Sequence, residues 1–349
     1  MKRAAGLGKR KAEAEPEVGA EPEAEAQIYF PVEEDQDEIQ QAAVMLAHAE
    51  LSLDEPEKCI PLLRAVVHEC DRIGRLKEML EEGVEIANVE EEQIAALGKL
   101  ELTDEFFRVF GDALFRLACV EGDGDGVLAT GGMFMAAIER YDLGLALFPA
   151  SALLKHSRLR ARVILSVMDE PSSWQDAADE WLEAIENGKD TSQLLAATEV
   201  LEQISPHVDD PRVYATRLAA LCCGSTDVAL NMARLKALNH LIDYEFEADN
   251  LDACKDLVKQ AEETVEGIDV PALQQDDAES HRPLLSLLAQ LHLWKGCLAD
   301  ADADDDDSEG NEEANARYND AVLLWREIAR LYDEPIPEHI LALETPAKG

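Results

Sequence analysis

The sequence predicts an all-α fold: a superhelical array of antiparallel helical hairpins, tetratricopeptide-like in its repeats. Three observations predict it. Apolar residues recur at helical spacing from about residue 36 almost to the end, and no stretch alternates convincingly as a strand. Aromatics are only 5% of the chain while aliphatics are plentiful, a balance that suits helix-on-helix packing better than a β-sandwich. A small–large–small spacing also returns in successive helices.

Residues 1–27 are expected to be a disordered tail, because they hold almost no apolar bulk to offset chain entropy. The tail is basic first and acidic afterwards. Lys2, Arg3, Lys9, Arg10 and Lys11 stand together without an acid among them, a cluster that a nuclear import receptor can read. The basic start is followed by no apolar run, so a secretory signal is not expected.

Residues 28–120 form the expected N-terminal helical region, with helices near 36–51, 57–82 and 103–120. Residues 121–349 form the expected repeat region, with helices near 132–147, 151–168, 173–187, 191–204, 210–222, 225–247, 249–266, 281–299 and 312–332. Prolines punctuate them at Pro56, Pro171, Pro206, Pro211 and Pro335.

The repeat signal lies in the second helix of each hairpin. It reads Ala137, Tyr141, Gly144; then Ala177, Trp181, Ala184; then Ala321, Trp325, Ile328; and, more weakly, Ala253, Leu257, Gln260. A small residue lets the paired helix approach, and a large one a turn later fills the gap between hairpins. The preceding helix supplies Ala161, Ile164, Leu165 and Met168 before Ala177, and Ala237, His240, Leu241 and Tyr244 before Ala253. Two units carry inserted loops at this turn instead, 121–132 and the acidic insertion at 300–313.

Charge narrows the function. Lys and Arg number 31 against 74 Asp and Glu, a net charge of −43. The tail contributes about −1 and residues 300–313 contribute −9, which leaves about −33 on the folded body. Such a body repels phosphate backbones, so no direct nucleic-acid binding is expected, and it attracts basic proteins. No apolar run reaches membrane-spanning length, so no membrane partner is expected.

No catalytic or metal-binding set is expected, and no cofactor. Phosphate-binding loops, GxSxG elbows and dinucleotide fingerprints are absent from the sequence. Asp302, Asp304, Asp306 and Glu313 fall at calcium-loop positions, but Asp307 stands where the sharp turn needs glycine and Glu309 where an apolar residue belongs. The seven cysteines form no CxxC pair and mostly sit in apolar helical patterns, as buried free thiols do. Two clusters remain as partner-binding candidates. One is His68, Glu69, Cys70, Asp71 and Arg72. The other is Lys155, Arg158 and Arg162 on one helix face, with Arg160 pointing elsewhere.

Two stretches resemble the fungal enhancer-of-translation-termination family: the opening KRAAGLGKRK, and the helix Leu62–Arg72 ending in His-Glu-Cys-Asp-Arg. Ile73-Gly74 follows here, where the family has bulky apolar residues. The resemblance implies a nuclear, non-enzymatic adaptor that binds a prolyl-hydroxylase-like, 2-oxoglutarate-dependent dioxygenase. It further implies effects on translation termination and hypoxic gene expression. An acidic chaperone for histones or ribosomal proteins, or a tetratricopeptide co-chaperone, are the rival expectations.

Overall fold

The computed structural model describes residues 37–343, apart from 54, 85, 87–90, 122–126, 170–172, 189–190, 271–277 and 303–307. The expected tail and its five basic residues lie outside the described residues. So do Asp304, Asp306 and Asp307 of the calcium-loop comparison. From Asp37 onward the chain is one compact unit.

Helices α1 (Glu38–Glu50), α2 (Pro56–Glu81), α3 (Glu91–Lys99) and α4 (Asp104–Glu121) come first. Then follow α5 (Val127–Leu147), α6 (Ala152–Asp169), α7 (Trp174–Gly188), α8 (Thr191–Ile204) and α9 (Arg212–Leu221). The last are α10 (Val228–Glu247), α11 (Leu251–Glu266), α12 (Ala278–Asp302), α13 (Ser308–Tyr332) and α14 (Glu338–Leu341). No strand occurs among the described residues.

Local chemistry starts and stops these helices. Asp37 caps α1, accepting from the Gln40 backbone at 2.8 Å while the Gln40 side chain accepts from the Asp37 backbone at 3.2 Å. Pro56 opens α2, where its missing N–H costs nothing. Gly83, at φ 69°, closes it, and the Val84 N–H reaches back to the Met79 carbonyl at 2.9 Å. Asp227 caps α10 through the Ala229 N–H at 2.8 Å.

The packing order explains the array. Helices α2, α4, α6, α8, α10 and α12 touch one another in succession and form a continuous row. The odd-numbered helices α5, α7, α9, α11 and α13 each pack against their neighbours in this row. The small–large pattern belongs to the odd helices. Ala137, Tyr141, Trp181 and Ala321 are fully buried or nearly so, and Ile328 is fully buried. Trp325 and Ala184 are only half-buried.

Four expectations need correction. The fourth copy is displaced by one residue: Gln260 is exposed, and the buried stripe of α11 is Cys254, Val258 and Ala261, the same spacing in the next register. In α6, Leu165 and Met168 are half-buried, and Val163 and Val167 join Ala161 in the core. The two inserted loops are shorter than expected, because α5 already begins at Val127, α12 runs to Asp302 and α13 starts at Ser308. Lys255 of α11 holds Asp302 at 2.8 Å. Helix α3 is an addition to the expected set. It buries Leu97 against α2, and the Lys77 ammonium caps its end by donating to the carbonyls of Leu97 and Leu100 at 3.1 and 2.6 Å.

Candidate partner-binding surface

The His68–Arg72 cluster is divided by its helix. Cys70 is fully buried, and burial, with the Glu69 charge beside it, pushes its thiol up to about 12. This thiol is a core group, not a nucleophile. His68 is exposed. Glu69 and Arg72 form a two-pronged pair at 2.9 and 2.5 Å, and Arg72 approaches Glu38 of α1 at 3.6 Å. Asp71 pairs with Arg75 one turn on, at 2.6 Å. The segment thus braces α2 against α1 and leaves His68 at the surface. Gly74 follows with Phe106 of α4 at 3.9 Å from where a Cβ would stand, an ordinary contact distance.

The basic face of α6 is largely spent within the array. Arg158 bonds Asp142 of α5 at 2.5 Å, and Arg162 bonds Glu180 of α7 at 2.9 Å. Lys155 is exposed and forms no ion pair among the described residues. Arg160 points into the core, as its offset from the other three implies. It reaches Asp112 of α4 at 2.9 Å and lies 4.3 Å from the Phe115 ring centroid.

Asp112 is the residue that sequence reasoning missed. It is 5% exposed, and one carboxylate oxygen takes both the Tyr141 hydroxyl at 2.7 Å and Arg160 at 2.9 Å. The other takes Arg108 at 2.9 Å. Burial, then the Asp112 charge, holds the Tyr141 hydroxyl well above its ordinary range and keeps it protonated as a donor. The signal was an acid set among Phe106, Phe107, Phe110 and Phe115, where an unpaired charge could not stay.

The same use of cations recurs along the array. Arg64 joins α2 to Glu121 of α4 at 2.6 Å. Arg116 bridges Glu50 of α1 and Glu199 of α8, each at 3.1 Å. Burial works against its charge, but the two carboxylates prevail and raise its pKa. Arg217 spans Asp179 and Glu186, Lys236 meets Glu202, and Lys295 meets Glu262. With these arginines and lysines held in the seams between helices, the excess of carboxylates is left for the surface.

The two candidate clusters are not brought together. Helix α4 touches both α2 and α6. Among the described residues no group of three or more His, Cys, Asp or Glu side chains is arranged to hold a metal. No helix among them is long and apolar enough to cross a membrane.

Residues 1–194 match the model of the family described as Nro1, nuclear pore complex subunit, and that span exceeds half of the 349 residues. The chain belongs to the Nro1 family. As a member of a family of nuclear pore complex subunits, it is a nuclear protein. A curated relative of this Nro1-family chain, Enhancer of translation termination 1 of Eremothecium gossypii, is 29% identical over 212 residues, which is 56% of this chain and 46% of the relative. The chain therefore spans under half the length of that relative. A solved structure described as "The hypoxic regulator of sterol synthesis Nro1 is a nuclear import adaptor" aligns over 88% of this chain and 92% of its own, at 15% identity and a TM-score of 0.45. The expected resemblance and the family match agree, and both include the Leu62–Arg72 helix.

Proposed function

We propose that this chain is a non-enzymatic nuclear adaptor that binds a prolyl-hydroxylase-like dioxygenase on its helical array and carries it into the nucleus. Membership of the Nro1 family supports a role in nuclear transport. The name of the Eremothecium relative suggests an effect on translation termination. A link to hypoxic gene expression belongs to the same reading, through the oxygen-dependent enzyme that the array would carry. The observation that carries the reading is the commitment of cations to interhelix seams, as with Arg116, Arg158, Arg162 and Arg217. The surface left free is anionic, so it attracts a basic face of a protein and repels nucleic acid. The basic tail, with Lys2, Arg3, Lys9, Arg10 and Lys11, engages an import receptor while the body holds the cargo.

The acidic-chaperone reading draws on the same anionic surface and predicts equal affinity for histones and basic ribosomal proteins. The co-chaperone reading loses support, because its carboxylate clamp would need Arg158 and Arg162, which are already paired. A cell experiment separates these. Changing the five tail cations to alanine should leave a fluorescent dioxygenase in the cytoplasm if the chain carries it. A dioxygenase that reaches the nucleus unchanged contradicts the adaptor reading.

A further inference from the structure

We propose that the groove between α12 and α13, lined by His292, Asp320, Leu323, Leu324 and Glu327, docks a basic, leucine-faced helical segment of a partner protein. The groove has a volume of about 360 Å³. Leu323 is 59% exposed in the middle of a long helix, and Leu324 is half-buried beside it. Asp320 and Glu327 stand one turn to either side. The order acid, leucine, leucine, acid falls at positions i, i+3, i+4 and i+7, which share one helix face.

These carboxylates differ from those in the seams. Asp320 lies 3.6 Å from His292 and 3.9 Å from Arg317, and Glu327 lies 4.0 Å from Arg330. All three separations exceed a hydrogen bond, so both carboxylates keep their accepting capacity. His292 does little to neutralise the rim, since burial pulls its pKa down, and the opposing pull of Asp320 does not reverse this.

Charge complementarity selects the occupant. A helix laid along α13 and carrying Lys or Arg seven residues apart places its cations about 10 Å apart, matching the rise between Asp320 and Glu327. A leucine between those cations covers Leu323 and removes it from water. An acidic helix would meet two like-charged carboxylates and be refused. The proposal rests on the adaptor reading only for the identity of the natural partner.

The test uses the full-length chain and a fluorescein-labelled synthetic helix of leucine and lysine, with lysines seven apart, read by fluorescence anisotropy. D320N/E327Q and, separately, Leu323→Ser should each weaken binding about tenfold, the scale of one charge-assisted hydrogen bond or one buried leucine. The control is D256N/E263Q on α11. It removes two exposed acids at the same spacing, but Lys259 and Gln260 lie between them, so binding should stay within about twofold of the unmodified chain. Equal weakening by both double variants, no effect of Leu323→Ser, or no binding to the unmodified chain overturns the proposal. Binding of the dioxygenase by the unmodified chain is measured alongside. Its failure with peptide docking intact sinks the adaptor reading alone, and the reverse result sinks the groove alone.

Discussion

The Tyr141 hydroxyl and the Arg160 guanidinium converge on one oxygen of Asp112, at 2.7 and 2.9 Å. This links α4, α5 and α6 through a single carboxylate, and it turns the one buried acid of an aromatic helix into a point of register. The arrangement also explains why α6 presents Arg158 and Arg162 to its neighbours. Arg160 fixes the rotation of the helix, and the two flanking arginines then face Asp142 and Glu180.

Removing the two partners of this pair should have unequal effects. Tyr141→Phe deletes one hydrogen bond and leaves Asp112 with two arginines, so the loss should be about 1 kcal/mol. Asp112→Ala strands the buried Arg160 and the tyrosine hydroxyl, and should cost about 3–5 kcal/mol. Urea unfolding of both variants checks the ranking. Equal losses would mean that the carboxylate does not organise the three helices.

Two glycines on neighbouring helices should respond in opposite directions. A Cβ on Gly111 would stand 2.3 Å from the Tyr141 ring, so Gly111→Ala must push the tyrosine aside and should destabilise by about 1–3 kcal/mol. Gly98 in α3 has nothing within 4 Å, and Gly98→Ala should stabilise by up to about 1 kcal/mol through helix propensity. Melting temperatures of the pair decide this, since both changes add the same methyl group.

Thiol labelling should be ordered by burial. Cys59, Cys70, Cys222 and Cys254 are buried and Cys223 is exposed, so a disulfide reagent should modify Cys223 first in the folded chain. Burial also sets the response to alkali. Cys70 is pushed up to about 12 from 9.0, and Cys119 and Cys222 to about 11, in each case chiefly by burial. Folded pKa values above the unfolded ones give stability that is complete below about pH 9 and lost as pH rises through the folded values. Thermal melts from pH 8 to 11 should therefore fall above pH 9, and Cys70→Ala should flatten the slope there.

Much of the fold was legible because its helices are long and one-sided, and because prolines and small residues mark where hairpins turn. The odd helices announced themselves through Ala137–Tyr141 and Ala177–Trp181, where a small residue must face a partner. Helix α3 was not legible, because among its described side chains only Leu97 is buried and its end is capped from another helix by Lys77. The one-residue error in α11 arose because Ala253 and Cys254 are both small, and only packing distinguishes them. The candidate site was partly legible. The helical offset separated Arg160 from Arg158 and Arg162, but it could not show that the latter two meet carboxylates from α5 and α7. Asp112 was visible as an anomaly, and Arg108 stands one turn before it on the same helix, but only the tertiary structure brings Tyr141 and Arg160 to it.

We propose that the folded array itself binds the dioxygenase, with charge assisting encounter and apolar contacts holding the complex. Association kinetics of the purified full-length chain with the purified dioxygenase test this most directly, at about 0.05 and 0.5 M salt, where screening lengths differ about threefold. Binding at micromolar concentration or better is expected, with salt slowing association far more than it speeds dissociation. No binding at micromolar concentrations by a chain that melts cooperatively would contradict it.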